Sequence, residues 1–336
     1  MAAAPRAGLM ALEVSVALCT RNGARYLPEQ VRSICAQTPL PREIVLSDDN
    51  STDDTVAVVR DTLAQCGVAD QIVLRVFSNT PALGVTRNFE QAVSACSHVL
   101  IVLCDQDDVW HPGRLARMAA QFEARPDLLL LHSDARLVDA DLKPLGTTLF
   151  HALEVQPAEL AAIAGGEAFG VLLRRNLVTG ATTMFRKTLL DAALPFPPEW
   201  VHDEWLGAVA AAIGRVDVLP EPTIDYRQHA SNQIGARRLT LSEKVAKAMV
   251  ERGDKHVQRL RRAEALLQRL MQLGDRVPAR YMDAQRAKVA HQRFRAELPA
   301  ARGLRLLPVL AEAARGRYAR FGRGGHAIAQ DLLERG

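Results

Sequence analysis

The sequence predicts an α/β fold, and two observations predict it. Three apolar runs end abruptly in polar or acidic residues: Val14-Ser-Val-Ala-Leu-Cys-Thr-Arg-Asn-Gly23, Glu43-Ile-Val-Leu-Ser-Asp-Asp-Asn-Ser-Thr-Asp-Asp-Thr55 and Val99-Leu-Ile-Val-Leu-Cys-Asp-Gln-Asp-Asp-Val-Trp110. Uninterrupted apolar runs of this length read as buried strands. Strand-like and helix-like stretches then alternate as far as Leu219, which is the pattern of α/β units.

Taken in order, Val14 onward is a strand that closes in polar residues and Gly23. Ile44 to Leu46 form a short apolar strand, followed by Asp48 and Asp49; Ser51, Thr52 and Asp53 offer N-caps to a helix through Val56–Arg60. Gly84 to Phe89 reads as a Gly-marked loop leading into a helix from Glu90 to Cys96. The strand ending at Cys104 runs into Asp105, Asp107 and Asp108. Three carboxylates at one strand end repel one another and are costly together unless a cation neutralises them. Oxygen-only ligands on a tight turn suit Mg²⁺ or Mn²⁺, and the carboxyl ends of α/β strands are where such folds hold ligands. An acidic turn capping the next helix is the plainer alternative.

Further along, Leu128–Val138 is a buried strand and Asp139–Gly146 a turn-rich segment. Ala181–Phe185 is a short strand, Arg186–Ala193 a helix, Ala208–Ile213 a helix interior and Val216–Leu219 a closing strand. Residues 146–180 carry no readable chemistry.

The chain has 336 residues, 48% of them hydrophobic and 24% charged, an ordinary globular composition with room for one large domain and an accessory segment. Its five cysteines form no C-x-x-C pair and several lie in apolar segments, which predicts reduced thiols. No apolar run reaches membrane-spanning length, and residues 1–11 read as a flexible N-terminus without the apolar core of a signal peptide, so a cytoplasmic location is expected. Charge divides the chain. Residues 237–336 hold 23 Lys and Arg against 10 Asp and Glu, while the net charge of the whole is only +4, so the first part is acidic. A boundary is expected at 235/236. Beyond it the pattern is of amphipathic helices, such as Val257–Met271 with Leu260, Leu267 and Leu270 on one side, punctuated by Pro278, Pro299 and Pro308. A basic, Leu-rich tail suits the surface of an anionic membrane; a helical cap packed on the main domain is the equal alternative. No nucleic-acid module is legible, so no nucleic-acid partner is expected.

These motifs, in this order over residues 12–235, resemble family-2 glycosyltransferases of the GT-A fold, a Rossmann-like mixed sheet with helices on both faces. Cys19-Thr-Arg-Asn-Gly23 is similar to the end of that family's first strand. Ser47-Asp-Asp-Asn-Ser-Thr-Asp53 resembles its acidic base-and-ribose motif, with Asn50 where Gly is usual. Asp105-Gln-Asp-Asp108 resembles its metal motif, and His202-Asp-Glu-Trp-Leu206 the segment that bears its catalytic base. Ile224-Asp-Tyr-Arg-Gln-His-Ala-Ser-Asn232 is similar to the closing motif of the branch that includes many bacterial rhamnosyltransferases.

The resemblance implies an inverting transfer from a dTDP- or UDP-linked sugar to a glycan or lipid-linked acceptor in bacterial surface-polysaccharide assembly. It assigns Asp203 as general base, with Glu204 as rival. Thr20, Arg21, Asp48, Asp49, Arg87, Asp105 and Arg227 would contact the nucleotide sugar, and Asp107, Asp108 and His229 the metal. Asp53 reads instead as an N-cap, and Trp205 as a sugar platform or as core. Two other classes are compatible with acidic motifs on an α/β scaffold. A nucleotidyltransferase would want a Gly-rich, Lys-bearing phosphate loop, which Thr20-Arg-Asn-Gly23 lacks. A catalytically inactive binding module would keep costly carboxylates for no return.

Overall fold

The computed structural model describes residues 12–229 and 254–334. The expected flexible N-terminus 1–11, the last three residues of the closing motif and the charge boundary at 235/236 lie outside the described residues.

Two-sided burial organises the first half. The elements are β1 (Val14–Thr20), α1 (Leu27–Cys35), β2 (Glu43–Asp48), α2 (Thr55–Gln65), β3 (Val73–Ser78), α3 (Val85–Ala95), β4 (Leu100–Cys104), β5 (Val109–Trp110) and α4 (Arg114–Ala124). Every residue of β1, β2 and β4 is buried. Alternate side chains serve two cores. Ala17, Val45, Ile101 and Leu103 pack with α3 on one face; Val16, Leu18, Ile44, Leu46 and Val102 pack with α1, α2 and α4 on the other. This is why these strands read as continuous apolar runs instead of alternating ones.

The second half adds β6 (Leu128–Val138), β7 (Pro144–Thr148), α5 (Leu149–Ala152), α6 (Pro157–Ala164), α7 (Ala168–Arg174), β8 (Thr183–Arg186), α8 (Leu190–Ala193), α9 (His202–Ile213) and β9 (Arg215–Arg227). The sheet order is β3-β2-β1-β4-β8-β6-β9-β5, with β7 paired to β6. The β3-β2-β1-β4 part is parallel, and β8 joins it antiparallel to both β4 and β6. The chain leaves β1 toward β2 and β3, then returns to β4 on the other side of β1. This reversal opens a crevice at the carboxyl ends of β1 and β4, where an α/β sheet accepts ligands.

The helix expected over Arg186–Ala193 is shorter, Leu190–Ala193, because Arg186 ends β8 and a 3-10 turn follows; three further elements also show a structure the sequence did not foretell. Strand β3 lies at the sheet edge, half exposed along its length, so it lacks the apolar signature of its neighbours. Helix α3 starts directly after Gly84, which has a positive φ of 82°, so the expected loop is already helix. Strand β9 runs on past Pro220 and Pro222 to Arg227, its register with β6 shifting where the prolines occur. Proline cannot donate to a ladder and is tolerated at such irregularities.

Five helices complete the described residues: α10 (Lys255–Leu273), α11 (Ala279–Ala296), α12 (Leu306–Ala314), α13 (Arg317–Phe321) and α14 (Gly325–Leu333). Helix α10 packs on α9, and α11 and α13 pack on α7. The buried side of α10 carries Ala263, Leu266 and Leu270, with Leu260 and Leu267 only half-buried. Phe321 belongs to the same core as α9. Buried acids among these helices all have partners: Arg295 makes two 2.7 Å bonds to Asp331, Tyr318 Oη donates to Asp331 at 2.7 Å, and His291 meets Glu312 at 2.9 Å. Such charges are tolerable inside only when paired, so the basic tail is bound into the molecule by its own acids. All five cysteines are free thiols.

Candidate active site

The crevice is laced by short polar contacts. Asp48 ends β2 opposite Thr20 of β1. It accepts hydrogen bonds from Thr20 Oγ1 at 2.8 Å, Ser51 Oγ at 2.5 Å and Ser51 N–H at 3.1 Å. Asp49 accepts from the backbone N–H groups of Leu83 and Gly84 at 2.6 and 2.9 Å, fastening the entry to α3. Asn50 has φ of 63°, the left-handed conformation for which Gly is the usual choice and which Asn tolerates best among the rest. Asp53 accepts from the N–H groups of Thr55 and Ala24, an anchor at the start of α2 that also holds the β1 loop.

The β1 loop and the acidic loop are tied by Gln106, a residue that sequence reasoning passed over. Its Oε1 accepts from Arg21 N–H at 2.8 Å, and its Nε2 donates to Arg21 C=O at 3.1 Å. Gly23 leaves the space for this: a Cβ there would collide with the Gln106 amide. The Arg21 side chain is exposed at this rim. Arg87, on the first turn of α3, forms an exposed ion pair with Glu90 at 3.0 Å.

The acidic loop gathers three carboxylates after β4. Burial, then the Asp107 and Asp203 carboxylates, push the Asp105 carboxyl up to about 7. Asp107 Oδ2 lies 2.8 Å from His229 Nε2, and the His229 ring stacks on Tyr26 with centroids 4.7 Å apart. Asp108 does not cap α4, whose start is formed by Gly113; it is fully buried and accepts from Arg227 N–H at 3.1 Å. Burial and its two acidic neighbours raise its pKa well above the ordinary value, and its Oδ2 has no hydrogen-bond partner. The Arg227 side chain is buried behind the loop. It donates to Asp107 C=O at 2.7 Å, Ala140 C=O at 2.5 Å and Glu29 at 2.5 Å, and it stacks over Tyr26. Repelling acids, an orphaned carboxylate oxygen and a histidine on one of the acids form a donor set that fits a hard divalent cation.

Asp203 begins α9 across the crevice. Its carboxylate accepts from Gly180 N–H at 2.8 Å and from Glu204 N–H at 2.7 Å. Burial raises its pKa, partly offset by His202 and the Gly180 hydrogen bond. The adjacent Glu204 turns the other way and is ion-paired with Arg262 of α10. Trp205 is core: it is buried and donates Nε1–H to Ala193 C=O at 2.8 Å. Trp200 instead borders a cavity, with the Arg262 guanidinium 4.5 Å above its ring. The predicted residues thus fall into two groups. Thr20, Asp48, Asp105, Asp107, Asp108, Asp203 and His229 gather around the crevice with Arg21 at its exposed rim, while Asp49, Arg87 and Arg227 are engaged with protein groups at its edge.

Among the described residues, the three metal-ligand side chains that approach most tightly lie elsewhere. The ligand atoms of His256, Asp331 and Glu334 fall within 4.8 Å of one another. Arg295 and Lys255 already neutralise those acids, which makes the trio part of the ion-pair network joining α10 to α14.

Comparison with known proteins agrees with this architecture. The model of glycosyl transferase family 2 matches residues 15–184. An uncharacterized glycosyltransferase of Nostoc sp. is 25% identical over 248 residues, spanning 70% of this chain and 71% of that protein. S. aureus TarS 1-349 in complex with UDP-GlcNAc superposes with a TM-score of 0.58 at 16% identity, covering 96% of this chain and 90% of that one. The mannosyltransferase PcManGT of Pyrobaculum calidifontis, in complex with GDP-Man and Mn²⁺, superposes with a TM-score of 0.54 at 19% identity, covering 91% and 76%. The sheet order, the crevice and the family match lead to one conclusion: this chain has the GT-A fold and belongs to glycosyltransferase family 2.

Proposed function

We propose that the protein is an inverting glycosyltransferase that moves a hexosyl residue from a nucleotide diphosphate, dTDP-rhamnose or a UDP-hexose, to a hydroxyl of a glycan or lipid-linked acceptor in bacterial surface-polysaccharide assembly. The observation that carries this reading is the meeting of two carboxylates from separate parts of the fold: Asp105 at the end of β4 and Asp203 at the start of α9, each within electrostatic reach of the other. One lies on the donor side and the other on the acceptor side of the crevice.

Thr20 and Asp48 form the floor for the nucleotide base, Arg21 its rim and Asp105 the ribose contact. Asp49 and Arg227 serve by holding the α3 entry and the acidic loop in place. Arg87 is available at the α3 terminus for a phosphate once it leaves Glu90. Asp107, Asp108 and His229 would hold Mg²⁺ or Mn²⁺, which when bound supplies positive charge for the departing pyrophosphate. Asp203 removes the acceptor proton. Two backbone N–H groups orient its carboxylate, and its raised pKa makes it a stronger base than an ordinary Asp. A single displacement from the face opposite the leaving group inverts the anomeric carbon. The structural relatives bound to UDP-GlcNAc and to GDP-Man with Mn²⁺ support a nucleotide-sugar donor and a divalent cation.

The test is nucleoside diphosphate release from a panel of nucleotide sugars with Mn²⁺ and with EDTA. Release from a dTDP- or UDP-sugar that requires the metal is expected. Failure of every donor in Mn²⁺, or equal release in EDTA, would overturn the reading.

The same reading holds the enzyme against the cytoplasmic face of an anionic membrane through its C-terminal helices. No helix among the described residues is long and apolar enough to cross a membrane. The support is a row of leucines at α12 left in solvent: Leu304 is 67% exposed and Leu307 78%, with Leu306 and Leu310 also exposed. Deleting residues 302–336 is a poor test, because Tyr318, Phe321 and Asp331 are buried. Replacing both Leu304 and Leu307 with Glu is the better one. Losing two buried leucines corresponds to a fall of about tenfold or more in binding to phosphatidylglycerol vesicles, and raised salt should weaken what remains. Equal flotation of variant and parent would remove the membrane from the proposal.

A further inference from the structure

A cavity of about 550 Å³ lies where α7 and α9 meet the C-terminal helices. It begins at Trp200 and at Glu204, the residue after Asp203 on α9, and its lining includes Arg262, which lies within electrostatic reach of the Asp203 carboxylate. Seven Lys and Arg side chains line it against two Glu. Most of those cations pair with carboxylates: Arg174 and Arg175 with Glu159, Arg262 with Glu204, Arg295 with Asp331 and, more loosely, Arg323 with Glu154. Two form no such ion pair. Lys288 Nζ reaches only the carbonyls of Leu173 and Phe321, at 2.9 and 2.6 Å. Arg259 is exposed and has no hydrogen-bond or ion-pair partner among the described residues. Burial, with Arg295, Arg259 and Arg262 around it, holds Lys288 down to about 7. Like charges gathered in a concave, half-desolvated space are costly until an anion joins them. A space of this size suits a small saccharide bearing a charged group.

We propose that this cavity is the acceptor site and that Arg259 and Lys288 bind a phosphate or pyrophosphate group carried by the acceptor. The inference rests on Asp203 being the base, since the cavity opens at the next residue of α9 and shares Arg262 with the Asp203 carboxylate. The Trp200 ring, held by Arg262, supplies an apolar wall for a sugar face, and the acceptor hydroxyl is then presented toward Asp203. The phosphate has two sources, a phosphorylated soluble glycan or the pyrophosphate of a lipid-linked one. Their shared chemistry is what the cavity recognises.

Calorimetric titration of inorganic pyrophosphate into the full chain, in EDTA and without donor, tests this independently of turnover. In EDTA no cation can bridge the anion to the acidic loop. Saturable binding is expected, and Arg259→Gln should weaken it about tenfold, the loss of one charge-assisted contact. Lys288→Gln should do the same; should that variant fail to fold, the exposed Arg259 still decides the matter. Arg261→Gln is the matched control, because Arg261 lies on another side of α10 and lines a different hollow. It should change affinity by less than about twofold, as expected of a distant, screened surface charge. A second titration with geranyl pyrophosphate separates the sources. Tighter binding than pyrophosphate indicates a lipid-linked acceptor, and equal binding a phosphorylated glycan. Absence of saturable pyrophosphate binding, or equal losses in the Arg259 and Arg261 variants, would overturn the proposal. A chain that binds pyrophosphate in the cavity but releases no nucleotide from any donor would instead count against glycosyl transfer.

Discussion

Replacing Asp203 with Asn is expected to lower kcat by about a hundredfold or more while donor binding holds, the cost of losing a general base. The substitution is nearly isosteric, and an amide oxygen can still accept from Gly180 N–H, so the fold at the start of α9 should survive. Rate against pH gives a second reading. The Asp203 pKa is raised, chiefly by burial. The base works only when ionised, so kcat/KM should fall as pH drops through a value above the ~3.9 of an unperturbed Asp. That acid limb should vanish in the Asn variant. Glu204→Gln provides the contrast: Glu204 is held by Arg262 and faces the cavity, so its loss should act mainly on KM for the acceptor. The product, followed by NMR, should have the opposite anomeric configuration to the donor. A retained configuration, or a larger loss of kcat from Glu204→Gln than from Asp203→Asn, would refute the assignment.

Asp107→Asn is expected to abolish metal-dependent turnover, a loss of at least about a hundredfold, because it would remove a charged oxygen from the proposed cation site. Stability should move the other way in the absence of metal. Asp107 adds to the repulsion that raises the pKa values of Asp105 and Asp108. Removing its charge relieves that repulsion, so the melting temperature in EDTA should be unchanged or higher. Mn²⁺ should raise the melting temperature of the parent, since a ligand that binds only the native state stabilises it, and should do so much less in the variant. Titrating Mn²⁺ while following both melting and turnover checks the two arms together. Unaltered metal affinity with unaltered rate would place the cation elsewhere.

Much of the parallel part of the sheet is legible in the sequence. Strands β1, β2 and β4 are buried on both faces, so their residues must be apolar without alternation, and they must turn polar where the sheet meets solvent. The acidic clusters mark those ends. Asn50 departed from the expected Gly, and its left-handed backbone accounts for the choice. Less legible were elements whose burial is partial. Strand β3 is an edge strand, and β9 passes through two prolines at a register shift, so neither carries a clean periodicity.

What the sequence determined by itself is therefore what local burial and local chemistry encode: the strands of the parallel sheet, the carboxylates at their ends and the charge break between the two parts of the chain. Only the tertiary structure decided which residues meet across long separations. Gln106 is 85 residues from Arg21 yet bridges to its backbone on both sides. Asp107 finds His229 at 122 residues' distance, Glu204 turns to Arg262 while Asp203 faces the crevice, and Arg259 and Lys288 end up lining one cavity with Glu204. Hydrophobic periodicity reports whether a side chain is buried, because burial depends on the face of its own helix or strand. Which partner it meets depends on how distant elements pack. The same arginine type therefore becomes a buried strut at Arg227, an ion-pair partner at Arg262 and, at Arg259, a charge with no ion pair among the described residues.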